Sequence, residues 1–187
     1  MRRIGLLSLV ILFGTITSGC STNGPLYTAS IDNVQLLKEA GNVSAKVGKF
    51  DSIPGPGNAN PITLRGSRMN SPYESSYAAY LAEAIKQELS LAGKLKADTD
   101  IEISGSLLKN DINIAGFSIG TGDIEARFVV KKGAQVRYDQ IKTIHDQWES
   151  SFAGAIAVPR GQQQYPNLVQ KLLATLYADH DFLEALK

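Results

Sequence analysis

The strongest constraint on the fold lies between residues 101 and 152, where three stretches of alternating apolar and polar residues follow one another. Such alternation is typical of strands that bury one face. Strands joined by short connections pair antiparallel, because a parallel pair needs a long crossover. The apolar sets are Ile101, Ile103 and Leu107; Ile124, Ala126, Phe128 and Val130; and Val136, Tyr138, Ile144, Trp148 and Phe152. We therefore predict a three-stranded meander with one apolar face.

The first of these strands changes its apolar phase partway along. Beyond Leu108 the apolar positions shift to Ile112 and Ile114. A β-bulge produces such a shift, and Gly105 lies close by. Alternation at residues 43–47 predicts a fourth strand earlier in the chain.

Two amphipathic helices are predicted to flank the meander. Residues 71–74, Ser-Pro-Tyr-Glu, combine a capping box with proline at the first helical position, and Gly93 supplies the stop. The second helix is expected to open at Pro166, after a loop that begins at Ile156, and its leucine stripe is wide enough to cover a sheet.

Shorter helices are predicted near both ends of the domain. Asp32 or Asn33 is expected to cap the first of them, which Gly41 would end. The last, after Asp179, is expected to dock through apolar side chains, namely Phe182, Leu183 and Leu186.

This order of elements predicts an α+β fold. We expect a two-layer α/β sandwich, with a mixed, mainly antiparallel four-stranded sheet and two main helices on one face. The predicted boundaries are a tether over residues 20–30 and a single domain over residues 31–187. Residues 51–72, rich in proline and glycine, form either a partner-binding loop or a disordered excursion, within which residues 62–64 favour a short edge strand.

Residues 1–19 have the pattern of a cleaved secretory signal. Two arginines precede an apolar run of about 13 residues, whereas a spanning helix needs roughly 20. Small residues then lead to Cys20, the single cysteine of the chain. This arrangement resembles the lipobox of bacterial lipoproteins, with Thr17 in place of the usual leucine. The resemblance implies that the Cys20 sulfur carries a diacylglycerol, that the chain is cut before it, and that the new amino terminus is acylated.

Two alternatives for Cys20 stay open at this point: a small buried residue, or a free thiol. An exposed thiol is a liability in an oxidising compartment, and lipidation removes it. Several acyl chains, each buried methylene contributing about 0.8 kcal/mol, would hold a domain at a membrane without a spanning helix. By resemblance to bacterial lipoproteins, Ser21 in place of Asp implies the outer membrane, with the domain on the periplasmic side.

The charge of the remaining chain argues against nucleic-acid binding. Without the two arginines of the predicted signal, 17 basic side chains stand against 18 acidic ones. Nucleic-acid binding relies on clustered cations. With one cysteine the chain forms no internal disulfide, so its stability has to come from packing.

The element order, the lipobox and the terminal helix "YPNLVQKLLATLY" resemble YajG-type lipoproteins and, more distantly, LptE-type envelope lipoproteins. The resemblance covers most of residues 43–187 as element order, and Cys20 is the one residue that maps individually. It implies an outer-membrane, periplasm-facing, non-enzymatic protein that binds or supports another envelope component.

The two histidines do not suggest catalysis or metal binding. His145, with Asp146 beside it and Ser150 nearby, invites a hydrolase interpretation, but its parity places it on the polar face of the strand. His180 lies between two aspartates, and no second histidine or cysteine completes a metal shell; Asp179 is better explained as a helix cap.

Two further motifs have a structural and a functional interpretation. "GFSIGTGD", residues 116–123, lacks the Lys-Ser/Thr pair of a phosphate loop and is expected to be a flexible hairpin connection. Trp148 shares the apolar parity and is predicted to be core, with a partner anchor as the sharper alternative. Asp146 shares that parity too, which indicates either a bulge or an acid that faces a bound partner.

These observations predict a lipid-anchored, non-catalytic envelope protein with no cofactor and no metal. Its partner would be an envelope assembly or transport component, contacted through the sheet edge and residues 51–72. The alternatives are a lipid or glycan carrier that uses a groove between helices and sheet, and an envelope hydrolase that depends on His145.

Overall fold

The computed structural model describes residues 21–187, so the predicted signal and Cys20 lie outside the described residues. Among residues 21–187, no helix is long and apolar enough to cross a bilayer. The elements are β1 (Ser21–Asn23), α1 (Ile31–Glu39), β2 (Lys46–Ser52), β3 (Ile62–Leu64), β4 (Ser67–Asn70), α2 (Tyr77–Leu91), β5 (Ile101–Asn113), β6 (Ile119–Lys132), β7 (Gln135–Glu149), α3 (Gly154–Tyr177) and α4 (His180–Ala185).

The main sheet has four strands in the order β2-β5-β6-β7. The meander β5-β6-β7 is antiparallel, and β2 adds to it in parallel. A smaller sheet has the order β1-β4-β3 and contains the predicted strand at residues 62–64. The α/β sandwich with a mixed, mainly antiparallel sheet is confirmed. The predicted fourth strand is β2, which begins at Lys46 instead of residue 43. Val43 and Ala45 are buried, but they lie before β2 rather than within it.

Two register shifts decide which side chains face the helices. The shift between Leu107 and Lys109 confirms the predicted change of phase in β5. A second shift pairs Lys131 with Val136, and cross-strand partners share a face. Val136 therefore points away from the helices and is 51% exposed, so its predicted place on the apolar face is wrong.

Helix α2 begins later than predicted. Ser76 is its N-cap and accepts a hydrogen bond from the Ala79 N–H at 3.2 Å. Glu74 and Ser75 have positive φ, which is incompatible with a helix that starts at residue 71. The C-terminal signal was correct, since Gly93 follows the helix with φ of +72°.

Helix α3 begins much earlier than predicted, at Gly154 instead of Pro166. In its first half, small or aromatic residues spaced four apart are buried, namely Ala157, Gly161 and Tyr165. A Cβ on Gly161 would lie 3.1 Å from Ile114 Cγ2, so the residue that suggests a loop is one that lets the helix approach the sheet.

The short helices are confirmed, with one change of cap. Ser30, rather than Asp32 or Asn33, caps α1 and accepts from the Asn33 N–H. Asp179 caps α4 as predicted, accepting from the Asp181 N–H at 2.9 Å.

The space between the helices and the sheet is filled with side chains. Leu168, Leu172 and Leu176 of α3 are fully buried, as are Ile103 and Phe128 of the sheet. An open cleft of about 510 Å³ lies at the edge where α2 meets β2, with Lys49, Tyr73 and Glu83 among its lining residues, so the lipid or glycan carrier stays an alternative prediction.

Candidate functional site

The end of the domain that follows Cys20 is the candidate site, since the predicted function depends on what is attached there. Ser21 is already part of the folded body: β1 runs parallel to β4, with Ser21 opposite Arg68. The Asn70 side chain donates to Ser21 Oγ at 2.6 Å, and the Gly24 N–H donates to the Asn70 carbonyl at 2.8 Å. Residues 21–30, which we call the anchor segment, are thus packed against the domain rather than forming the free tether expected from their sequence.

Tyrosines of α2 and of the turn before it hold the middle of the anchor segment. The Tyr73 hydroxyl accepts from the Tyr27 N–H at 3.1 Å, and the Tyr80 hydroxyl donates to the Pro25 carbonyl at 3.2 Å. The rings of Tyr27 and Tyr80 meet edge to face, with centroids 6.0 Å apart. The Gln170 side chain of α3 donates to the Thr28 carbonyl at 2.7 Å. The segment is therefore fixed to both main helices.

A buried carboxylate holds the end of the anchor segment. Glu88 of α2 is fully buried and accepts from the Tyr27 hydroxyl at 2.6 Å, the Ser30 N–H at 3.0 Å and the Asn33 side chain at 3.1 Å. Burial raises the pKa of Glu88, while these hydrogen bonds act in the opposite direction. The same Asn33 amide also donates to the Gln170 carbonyl at 3.0 Å, which links α1 to α3.

The arrangement around Glu88 is structural. The carboxyl group is enclosed by donors from the anchor segment and α1, and no solvent reaches it. Burial and the neighbouring carboxylate raise the pKa of Tyr27, so its hydroxyl stays protonated and keeps donating. Sequence reasoning did not single out Glu88, although a signal was present: Glu88 lies one helical turn after Ile85 and two turns after Leu81, which places it on the same side of the helix as these apolar residues.

Arg65 fastens the turn between β3 and β4 to the neighbouring loops. Its guanidinium donates to the carbonyls of Ile114 at 2.9 Å, Gly116 at 3.0 Å and Ser151 at 3.0 Å, and also to that of Phe152. One side chain therefore holds the β5–β6 and β7–α3 connections beside the small sheet that contains Ser21. Sequence reasoning did not single out Arg65, because its partners are backbone carbonyls far away in the chain.

Within residues 21–187, no hydrolytic triad is assembled around His145. The side chain is 60% exposed, and its Nδ1 lies 3.1 Å from Asp123 Oδ1, which is also 3.3 Å from Lys109 Nζ. Neither Ser150 nor Ser151 forms a hydrogen bond with His145: Ser151 Oγ accepts from the Ala153 N–H instead. The predicted position on the polar face is confirmed.

Asp179, directly before His180, binds neighbouring side chains. Asp179 accepts from the Tyr138 hydroxyl at 2.7 Å and from Lys142 Nζ at 2.6 Å. Burial alone would raise the pKa of Asp179, but these bonds outweigh it and lower the pKa to about 2. His180 is 82% exposed, and in residues 21–187 no three His, Cys, Asp or Glu residues are grouped as metal ligands.

The glycines of "GFSIGTGD" serve packing. Residues 119–123 belong to β6, so the expectation of a flexible connection is wrong there. A Cβ on Gly122 would lie 2.4 Å from Leu168 Cδ1, and one on Gly120 would lie 2.6 Å from Trp148 Nε1. Trp148 therefore packs over Gly120 on the covered face, as predicted for a core residue.

Asp146 also has a structural partner. It pairs with Lys171 of α3, which explains an acid on the helix-facing side of β7 without a bulge at that point or a bound partner.

Residues 51–72 are largely ordered against β5. The Asn58 side chain donates to the Ile53 carbonyl at 2.7 Å and the Leu107 carbonyl at 2.8 Å. The Ala59 N–H donates to the Asn110 carbonyl at 2.9 Å. This loop extends the β2 side of the sheet, whereas β7 is the edge strand on the other side, with no strand beside it in the described part of the chain.

Comparison with known proteins gives the fold. No family model matches the chain, and no curated protein matches it in sequence. Its structure is similar to that of protein XCC0632 from Xanthomonas campestris, of the family DUF330, with a TM-score of 0.57 and 13% identity over 84% of this chain and 91% of that chain.

Two further solved structures are similar over most of their length. One is a putative lipoprotein from Caulobacter crescentus, with a TM-score of 0.48 and 9% identity over 82% of this chain and 96% of that chain. The other is the hypothetical protein CT253 from Chlamydia trachomatis, with a TM-score of 0.44 and 10% identity over 72% and 95%. None of these three names describes an enzyme. The fold is shown by the likeness to XCC0632 from Xanthomonas campestris, with its TM-score of 0.57.

Proposed function

We propose that the protein is a lipid-anchored, non-catalytic lipoprotein of the cell envelope. In this proposal the outer membrane holds it through acyl chains on Cys20, and its periplasmic domain binds or supports an envelope assembly or transport component. The observation that carries the proposal is the signal-type run that ends at Cys20, directly before a residue that already belongs to the fold. The hydrogen bonds around Glu88 support the proposal, because they join the anchor segment to both main helices. A force on the lipid anchor is therefore transmitted to these helices.

Labelling with a palmitate analogue tests the anchor. We expect the full chain expressed in bacteria to incorporate the label and to fractionate with the outer membrane. Cys20→Ala should abolish both, whereas Ser21→Ala, one residue further on, should retain the label. Label retained by Cys20→Ala, or absent from the unsubstituted chain, contradicts the proposal.

The β7 edge is the surface we propose for the protein partner. This strand has 15 residues, and a free edge can accept a strand from another chain through main-chain hydrogen bonds. Ile141, near its middle, is 52% exposed. The ordered packing of residues 51–72 against β5 makes that loop the lesser candidate.

Site-specific photo-cross-linking in intact envelopes tests this surface. A photoreactive residue at Ile141 should cross-link one envelope protein, while the same group at Gln163, exposed on α3, should not. Identical cross-links from both positions, or none from Ile141, would remove β7 as the partner surface.

A further inference from the structure

Two aromatic rings stand exposed at the end of the domain where the described chain begins. Phe117 is 76% exposed and Phe152 is 70% exposed, yet their rings stack at 5.1 Å with an interplanar angle of 12°. They lie on the β5–β6 and β7–α3 connections, which the Ser150 N–H joins by donating to the Ser118 carbonyl at 2.7 Å. Phe152 was predicted to belong to the apolar face; it lies beyond the end of β7 instead.

Two further exposed isoleucines lie within four residues of these phenylalanines in the sequence. Ile119 begins β6 and is 53% exposed, and Ile156 lies in the first turn of α3 and is 48% exposed. We call these four residues, Phe117, Ile119, Phe152 and Ile156, the aromatic tip. Isolated exposed apolar residues are normal, but a cluster with a polar rim marks an interaction surface.

The rim of the aromatic tip is basic. Arg65, Arg68 and Arg160 are exposed, and none of them forms a salt bridge with an acid in residues 21–187. Arg65 donates to backbone carbonyls, and Arg160 donates to the Glu149 carbonyl, so the partners of both guanidinium groups are uncharged. The carboxylates of Glu149 and of Asp111, which lines a surface cleft together with Arg65, oppose them, so three cations stand against two acids.

The strand register places the chain entry beside this surface. Ser21 lies opposite Arg68, and β1 runs parallel to β4 away from the β3–β4 turn. The chain therefore enters the described body at the turn end, where Arg65 contacts the carbonyls of both loops that carry the phenylalanines.

We propose that the aromatic tip and its arginines rest on the phospholipid surface to which the lipid on Cys20 is anchored. Aromatic and aliphatic side chains enter the interfacial region of a bilayer, and arginines pair with lipid phosphates. This inference depends on the proposed lipidation, which brings the tip to the bilayer because the anchor segment is packed against the body. The domain then stands with the β6–β7 hairpin away from the membrane, and the tip acts as a second membrane contact beside the acyl chains.

Fluorescence quenching by brominated lipid tails tests this orientation. The acylated full chain, with acylation verified by intact mass, is reconstituted into phospholipid vesicles. A reporter tryptophan is introduced by Phe117→Trp at the tip or by Val136→Trp at the hairpin, about 40 Å away along β7. Trp148 is common to both variants, so the unsubstituted protein gives the background.

We expect tail bromines to quench a large share of the added emission of F117W and none of that of V136W. Phe152→Ser in the F117W background should reduce the quenching, because it removes half of the stacked pair. Arg68→Glu should reduce it in vesicles that contain anionic lipid, whereas Arg137→Glu, exposed on β7 near the hairpin, should not.

The outcomes separate this inference from the proposed function. Acylated protein with equal quenching at both positions, or with none, overturns the orientation and leaves the lipid anchor intact. If F117W is not quenched in vesicles and added envelope protein shields the reporter tryptophan, the tip contacts a protein partner. This outcome also overturns the inference. Protein that is not acylated contradicts the proposed function itself.

Discussion

The four-stranded sheet has a face covered by helices and a bare face, and the same strands supply both. On the covered face Phe128 is fully buried and meets Phe50 at 6.2 Å between ring centroids. On the bare face the Arg127 guanidinium donates to the Asp139 carboxylate at 2.6 Å. The Asp123 carboxylate pairs there with Lys109 of the neighbouring strand. Adjacent residues of one strand thus contribute to stability by burial in one case and by solvent-screened charge pairs in the other.

Acidic residues show the difference most clearly. Glu88, enclosed by the helix layer, has a raised pKa and holds the anchor segment. Asp139, on the bare face, has a pKa lowered by its hydrogen bonds from Arg127. The comparison teaches that the one fully buried acid of residues 21–187 fixes the anchor segment, while the bare face keeps charges that water can screen. Four substitutions test this, in order of decreasing effect.

The largest effect is expected from Phe128→Ala on the covered face. Loss of a buried aromatic side chain and the cavity left behind should lower the free energy of unfolding by about 3 to 5 kcal/mol. Ile141→Ala on the bare face should change it by less than about 0.5 kcal/mol. Urea denaturation of both variants measures the difference, and similar losses would mean that the two faces are not distinct.

Glu88→Ala should have the next largest effect. It leaves the Tyr27 hydroxyl and the Ser30 N–H without their buried acceptor and leaves the Asn33 amide with the Gln170 carbonyl alone, which costs about 2 to 3 kcal/mol. Hydrogen exchange at residues 27–33 should rise more than exchange in the sheet. Glu88→Gln retains an acceptor oxygen and should lose less; an equal loss for both variants would contradict the role assigned to the hydrogen bonds.

Gly122→Ala tests the close contact between β6 and α3. The added Cβ would lie 2.4 Å from Leu168 Cδ1, so we expect thermal unfolding to show a loss of about 1 to 2 kcal/mol. Gly55→Ala is the matched control, since nothing lies within 4 Å of its added Cβ. Unchanged stability for Gly122→Ala would show that Leu168 moves aside without cost.

The smallest effect is expected from a change at Asp179, where β7 meets α4. Because the folded state lowers the pKa of Asp179 to about 2, its ionised form contributes stability above the ordinary aspartate pKa of about 4, and this contribution is lost as pH falls from about 4 to about 2. The whole shift corresponds to ~2.6 kcal/mol, but an Asn oxygen still accepts from the Tyr138 hydroxyl and water screens the partly exposed pair with Lys142. Asp179→Asn should therefore remove on the order of 1 kcal/mol at neutral pH and flatten acid unfolding over that range.

Asp139→Asn, on the open face, is the control for this titration. Its pairing with Arg127 is exposed to solvent, so its contribution should be smaller. Acid unfolding followed by circular dichroism compares the two variants. A steeper acid dependence in Asp179→Asn than in the unsubstituted protein would reverse the predicted sign.

The sequence predicted the features that depend on local patterns. The meander, the bulge after Leu107 and the caps at Asp179 and Gly93 follow from alternation and from residues with defined cap or turn preferences. The bulge opposite Lys131 left no such signal, because Val136 and Tyr138 are both apolar and keep the apparent parity.

Features made by distant contacts could not be predicted in this way. The early start of α3 was missed because glycine and proline suggest a loop, whereas Gly161 is required by the closeness of Ile114. The packing of the anchor segment leaves no signal in its own residues, because its partners, Tyr73 and Glu88, lie far along the chain. The burial of Glu88 could nevertheless be predicted from the sequence, since this residue lies on the apolar side of its own helix.

Intact mass spectrometry of the protein extracted from bacterial envelopes tests the central claim most directly. The account predicts a chain that begins at Cys20 and carries a diacylglycerol on its sulfur and an acyl group on its amino terminus. A chain that begins at Met1, or one that retains Cys20 as a free thiol, would contradict it.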